Sequence, residues 1–252
     1  MDHDAAGIQL REKKKKQVQY IQDNGSQKGK ASLQRSSKDG RGEAGALIRA
    51  WMSLEEKCQG KYKVTEAMDL DIKNGKFIKS EQLREKSPNK AQVPVVIHGD
   101  NVVHESLVCV EYIDEAFGNS TLVPGSPSQR AMARMWAKRL DNEIATNFYR
   151  LLMSQDKEDQ KKIAQSMLEV IRDFSENIQG PFFFGEMISI VDICIAPWLV
   201  GYRYDVMKSL RQFVVPEGEE KFWIWSLAMS KHPSWVATIS RDLAAMMEVY
   251  QP

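Results

Sequence analysis

Ten residues, Gly118 to Pro127, divide this chain into two patterns of different period. Their run, Gly-Asn-Ser-Thr-Leu-Val-Pro-Gly-Ser-Pro, is a linker by composition, since Gly and Pro punctuate structure and the small polar residues bond their own backbone. Beyond it the chain reads as helix. Ala131, Met135, Trp136, Leu140, Ile144, Phe148, Leu151 and Leu152 mark one long apolar stripe. Ile163, Met167, Leu168, Ile171, Phe174 and Ile178 mark a second, and Gly180-Pro181 breaks the chain after it. Ser189-Ile-Val-Asp192 is a capping box that opens a third helix: the serine caps an orphan N–H and the carboxylate reaches back to the serine's own N–H. Segments from Glu217 to Met229 and from Trp235 to Tyr250 complete an all-helical domain over residues 128–252. Its many Met and Trp residues fall at helical spacing and are read as core rather than as a cofactor cage.

Before the linker the elements alternate. Ala46 to Lys57 is rich in helix formers, with apolar residues at 47, 48, 51, 52 and 54. Lys61 to Leu70 is expected as a strand, and Ile72 to Lys86 as an irregular helix closed by Ser87-Pro88. Pro94 to His98 and Val102 to His104 flank Gly99-Asp-Asn101, a hairpin signal. Glu105 to Phe117 follows as an amphipathic helix. Helix, strand, helix, hairpin, helix is an α/β order, and one strand ahead of the first helix would complete a thioredoxin-like unit over residues 44–117.

Charge sets residues 1–43 apart. They hold ten Lys and Arg against six acids, a net of +4, whereas the whole chain of 252 residues carries +1. With few apolar residues and many Gly, Ser, Gln and Lys, this segment cannot offset its own ordering entropy and is expected as a disordered tail. Lys13 to Lys16 are read as solvated rather than as a polyanion patch. A net charge near zero gives no field to recruit nucleic acid or membrane. No apolar run approaches a membrane span, the N-terminus lacks the apolar core of a secretory signal, and the cysteines, three and widely spaced, fit a reducing compartment. A cytoplasmic location is expected.

The order of motifs in the two halves resembles the cytosolic glutathione transferases, tau and omega classes above all. Lys79-Ser-Glu81, Ser87-Pro88, Val93-Pro94-Val-Val-Ile-His98, Glu105-Ser106-Leu107 and Glu111-Tyr-Ile-Asp-Glu-Ala-Phe117 are similar to that family in order and spacing. So are Phe183-Phe-Gly185, Ile195-Ala-Pro-Trp198, Pro216-Glu-Gly-Glu-Glu220 and Trp225…His232-Pro233 in the helical half. The resemblance implies a thioredoxin-like domain followed by an all-helical one, glutathione as co-substrate, small electrophiles as partners, and a homodimer. It also implies a glutathione site. Pro94, expected cis, leaves the Val93 backbone free to pair with the cysteinyl backbone like an added strand. Ser106, in the first turn of a helix, suits the γ-glutamyl carboxylate. Glu105 accepts from the γ-glutamyl ammonium. Lys79 pairs with the glycyl carboxylate, and Gln92 bonds at the same end. Met135, Trp136, Tyr202 and Trp225 are expected as apolar walls for the electrophile.

The start of the chain departs from the family. The family's catalytic Cys, Ser or Tyr lies at the start of the first helix, which here falls on Ala44-Gly45, and neither can hold a thiolate. Arg49 does match a family position in that helix. Gln27 to Glu43 contains no β-branched or aromatic run, so the sequence shows no first strand and the N-terminus reads as replaced or degenerate. No catalytic residue is nominated. Cys58 is read as a free surface thiol, and Cys109 and Cys194 as small core residues. His98, His104 and His232 have no metal spacing, and no phosphate loop or Ser/His/Asp order points to an NTPase, kinase or hydrolase. The expected function is a weak glutathione transferase; the rival is a non-catalytic interaction scaffold on the same fold.

Overall fold

The strand missing from the sequence pattern lies inside the main sheet. A computed structural model describes residues 31–35, 43–66, 68–71, 76–87, 92–118, 121–123 and 125–239. The first elements in chain order are β1 (Ala31–Arg35), α1 (Glu43–Cys58), β2 (Lys63–Glu66), β3 (Met68–Asp71), β4 (Lys76–Lys79), α2 (Glu81–Lys86), β5 (Val95–His98), β6 (Asn101–His104) and α3 (Ser106–Ala116). The sheet order is β2-β1-β5-β6, with β1 parallel to β2 and antiparallel to β5. This corrects two expectations: the first strand is present, and it falls within the segment 1–43 read as a disordered tail. Ala-Ser-Leu-Gln-Arg has little β propensity of its own, but a strand with a ladder on both sides is held by backbone hydrogen bonds that propensity does not measure. Residues 1–30 and 36–42 lie outside the described residues.

The stretch after α1 is also corrected. Lys61 to Leu70 forms two strands in different sheets, and the helix expected from Ile72 begins only at Glu81. Between them β3 and β4 form a two-stranded antiparallel sheet, Met68 opposite Lys79 and Asp71 opposite Lys76. The signal was in the sequence: Asn74-Gly75 between two short runs is the strongest short-range hairpin mark. The hairpin of β5 and β6 is as expected, with Gly99 at φ +60 in its two-residue turn. Leu83 of α2 packs with Val93, Val95, Ile97 and Val102 on one face of that hairpin.

The chain divides into two compact units, one of residues 1–47 and 59–109, the other of residues 48–58 and 110–252. The helical unit adds α4 (Pro127–Leu140), α5 (Thr146–Met153), α6 (Lys157–Asn177), α7 (Ile190–Leu199), α8 (Tyr202–Arg211), α9 (Glu220–Lys231) and α10 (Pro233–Thr238). Residues 240–252, where the last expected helix continued, lie outside the described residues. A π-helical turn, Asp141–Ala145, joins α4 to α5. It breaks the single stripe read from the sequence: Ala133, Ala137 and Leu140 face inward, whereas Ala131 is exposed and Met135 is 72% exposed. One wide turn shifts the phase, so a stripe carried back at helical spacing lands on the wrong face.

All ten residues of α7 are buried, and Asp192 is the one acid among them. Its Oδ1 accepts from the Phe183 N–H and from Trp225 Nε1, both at 2.8 Å, and its Oδ2 from the Ser189 N–H at 2.8 Å and Ser189 Oγ at 2.6 Å. The capping box read from the sequence is therefore also a bolt between α7 and α9. Elsewhere in this unit the Lys57 ammonium meets Asp114 Oδ1 at 2.5 Å, and Asp114 also accepts the N–H groups of Thr121, Leu122 and Val123. Among the described residues no helix is long and apolar enough to cross a membrane.

Candidate functional site

The register of the β5–β6 hairpin builds the candidate site. Val95 stands opposite His104, so the residues before β5 and after β6 emerge side by side. Those residues are Val93-Pro94 and Glu105-Ser106. The Val93–Pro94 peptide is cis, as expected, and both residues are buried. Glu105 turns the chain from strand into helix at φ +70, an uncommon conformation for a residue with a side chain. Its carbonyl accepts from the Cys109 N–H at 2.8 Å, the first bond of α3. Ser106, half-buried, is the first helical residue, and the first turn of α3, after Glu105, contains no acid. The positive end of a helix dipole favours an anion there.

Gln92 is exposed, and its carbonyl accepts from Ser87 Oγ at 3.3 Å, which ties the end of α2 to the approach to Pro94. Lys79 is the last residue of β4, next to Ser80, whose hydroxyl caps α2 by accepting from the Leu83 N–H at 3.2 Å. The Lys79 side chain lies outside the described residues. The structure thus brings Val93, Pro94, Glu105 and Ser106 together and sets Gln92 on the same approach.

Ala44, onto which the sequence count carries the family's catalytic position, stands in the first turn of α1, and residues 36–42 ahead of it lie outside the described residues. Arg49, further along α1, serves the interior of the helical unit. Its Nη1 lies 2.7 Å from Asp141 Oδ1, Nε donates to the Cys194 carbonyl at 2.9 Å, and its Cζ stands 4.4 Å from the centroid of the Trp198 ring. Ser53, one turn on, donates to the Arg49 carbonyl at 2.9 Å.

Of the four residues expected to wall the electrophile pocket, Trp225 is corrected. It is 0% exposed, its indole donates to Asp192, and its ring stands 5.1 Å from that of Phe174. The face of α9 that carries Phe222, Trp225 and Met229 points inward, so Trp225 is core. Trp136 is half-buried against Phe183 at 5.3 Å, with the Arg139 guanidinium 5.3 Å from its ring. Tyr202 is half-buried in the first turn of α8, and Met135 is open to solvent.

The buried thiols supply no nucleophile. Burial pushes the Cys109 thiol up to about 12 and the Cys194 thiol up to about 11, the latter against the pull of Arg49. At neutral pH both stay protonated thiols. Titration of the folded chain with a thiol reagent is therefore expected to find one fast thiol, the half-buried Cys58, and all three in denaturant. Fast labelling of Cys109 or Cys194 would show that these helices open readily. Among the described residues no group of three or more His, Cys, Asp or Glu is placed to hold a metal ion.

The family model for the glutathione S-transferase N-terminal domain matches residues 60–115. A probable glutathione S-transferase of Glycine max is 33% identical over 162 residues, 62% of this chain and 69% of the relative. Glutathione S-transferase U1 of Arabidopsis thaliana is 32% identical over 168 residues, 64% of this chain and 72% of that one. Among solved structures, rice GST1 in complex with glutathione superposes with a TM-score of 0.72 at 22% identity, covering 90% of this chain and all of that one. The fold is therefore that of a thioredoxin-like domain with a mostly helical partner. The chain belongs to the glutathione transferase family.

Proposed function

We propose that this protein binds glutathione through its sheet unit and uses it, slowly, to conjugate or reduce small electrophiles. The observation that carries the reading is the hairpin register, which sets Val93-Pro94 beside Glu105-Ser106 at the N-terminus of α3. In this reading the Val93 backbone pairs with the cysteinyl backbone of glutathione. The Ser106 hydroxyl and the N–H groups of the first turn of α3 take the γ-glutamyl carboxylate, and Glu105 takes the ammonium. Lys79 and Gln92 serve the glycyl end. The thiol loses its proton to solvent, its sulfur bonds the electrophilic carbon, and the leaving group departs with its electron pair. Met135, Trp136 and Tyr202 are the side chains of the helical unit assigned to the electrophile. By the habit of the family the protein works as a homodimer in the cytoplasm.

Ala44 favours a second reading, a glutathione transferase fold kept as a non-catalytic scaffold. With no hydroxyl or thiol at that position, a helix N-terminus is what lowers the thiol pKa in this reading, and turnover should be weak. Calorimetric titration with reduced glutathione, followed by a conjugation assay with 1-chloro-2,4-dinitrobenzene, separates the two. Saturable binding with turnover above the uncatalysed rate supports the enzyme. Binding without turnover leaves the scaffold, and a folded chain that binds no glutathione overturns the site itself.

The backbone of Glu105 offers an independent check. A left-handed conformation costs a residue with a Cβ about 1–2 kcal/mol, which glycine does not feel. Glu105→Gly is expected to leave the melting temperature unchanged or raised while weakening glutathione binding. That opposition marks a residue kept for its ligand. A lowered melting temperature with unchanged binding would make Glu105 structural.

A further inference from the structure

His104 carries a ring nitrogen that the sheet unit encloses and does not answer. It is the last residue of β6 and half-buried, and among the described residues its Nδ1 is enclosed with no hydrogen-bond partner. The register of the hairpin shows what surrounds it. His104 stands opposite Val95, and Val102 opposite Ile97, so these four side chains share one face. Leu83 of α2 packs on that face with Val95, Ile97 and Val102. On α2 the charged Glu81, Arg84, Glu85 and Lys86 are exposed, whereas Ser80, Leu83 and Ser87 are buried. Cys109 of α3 donates to the Val103 carbonyl at 3.5 Å, and Glu105 is the next residue in the chain. The other histidine of the hairpin, His98, stands at its turn end, opposite Asn101.

A neutral imidazole suits such a place better than a charged one. In the neutral ring one nitrogen is a bare acceptor, whereas in the protonated ring both nitrogens donate. An N–H enclosed on an apolar face without an acceptor is costly, and a charge on the same ring adds to the cost. Proton uptake therefore drives the ring from its place at the end of the β5–β6 ladder. The pair at that end, Val95 with His104, is the one that sets Val93-Pro94 beside Glu105-Ser106. We propose that His104 is a positioning residue of the glutathione site: with a neutral ring it holds the end of the hairpin that carries Glu105 and Ser106, and proton uptake by the ring releases that end and weakens glutathione binding. The inference rests on the glutathione reading and adds to it a regulator, acid pH, that acts through a residue without contact to the ligand. Every residue it uses belongs to the sheet unit.

The test is calorimetric titration of the full chain with reduced glutathione at about pH 7 and about pH 5.5, where an ordinary imidazole passes from mostly neutral to mostly charged. Carboxylates titrate below this range and thiols and amines above it, so glutathione itself keeps its charges. The wild type is expected to bind about fivefold more weakly at the lower pH, with its fold checked by circular dichroism at both. His104→Leu, which cannot titrate and suits the apolar face, should bind as the wild type does at neutral pH and lose the dependence on acid. His104→Asn is a second variant that does not titrate, and it carries the test if His104→Leu fails to fold. Wild-type affinity that stays level or rises on acidification overturns the inference, as does a fall that persists undiminished in the folded variants. These outcomes leave the glutathione site standing. A folded chain that binds no glutathione at either pH overturns the site and this inference with it, so the two failures are distinct.

Discussion

Ser106→Ala is expected to weaken glutathione binding by about ten- to a hundredfold, the loss that follows when a hydrogen bond to a charged group, ~1.5–3 kcal/mol, is removed. The expectation rests on position. Ser106 is the first residue of α3, the turn it opens contains no acid, and its half-buried hydroxyl stands at the end of the hairpin where Pro94 also emerges. Helix α3 should still form, because its first backbone bond runs from the Cys109 N–H to the Glu105 carbonyl and does not involve the hydroxyl. Calorimetry on the variant, with a melting curve alongside, reads both quantities. Unchanged affinity in a folded variant would move the carboxylate away from α3 and sink the proposed binding mode. Glu105→Gln is the companion measurement: it keeps the shape and removes the charge that pairs with the ammonium, and its loss should add to that of Ser106→Ala only if the two ends of the γ-glutamyl group are held separately.

The largest stability effect is expected from Asp192→Ala, about 3–5 kcal/mol, or a fall in melting temperature of about 10 °C for a chain of this size. Four donors converge on this carboxylate: two backbone N–H groups, a hydroxyl and an indole. Burial pushes its pKa up while the four hydrogen bonds pull against burial, so the group is costly to enclose and costlier to remove. Alanine would strand the Phe183 and Ser189 N–H groups and Trp225 Nε1 in an apolar interior. Trp225→Phe removes one of those bonds and should cost much less. If Asp192→Ala costs no more than Trp225→Phe, the network is not cooperative and the estimate fails.

The parts of this fold that announced themselves are those where side chains must do something local. The Gly99 turn, the apolar runs of β5 and β6 on either side of it, and the Ser189–Asp192 box were readable because turns and caps need particular residue types. The Glu105-Ser106 and Val93-Pro94 pairs stood out by their spacing. Strand β1 was not readable, since Ala-Ser-Leu-Gln-Arg is held by ladders to β2 and β5 that are distant in sequence. The π-helical turn hid itself in a continuous apolar stripe and put Met135 on the wrong face. The left-handed backbone at Glu105 had no mark at all, because nothing but glycine or asparagine would have advertised it.

The bolt between α7 and α9 also has a history in time. Asp192 and Trp225 are 33 residues apart, and the chain is made from Asp192 toward Trp225. At about 5–20 residues per second of synthesis, some 2–7 s pass in which α7 has been made and its indole donor has not. During that interval α7, all ten of whose residues are buried in the finished fold, lacks the indole that bonds its one acid.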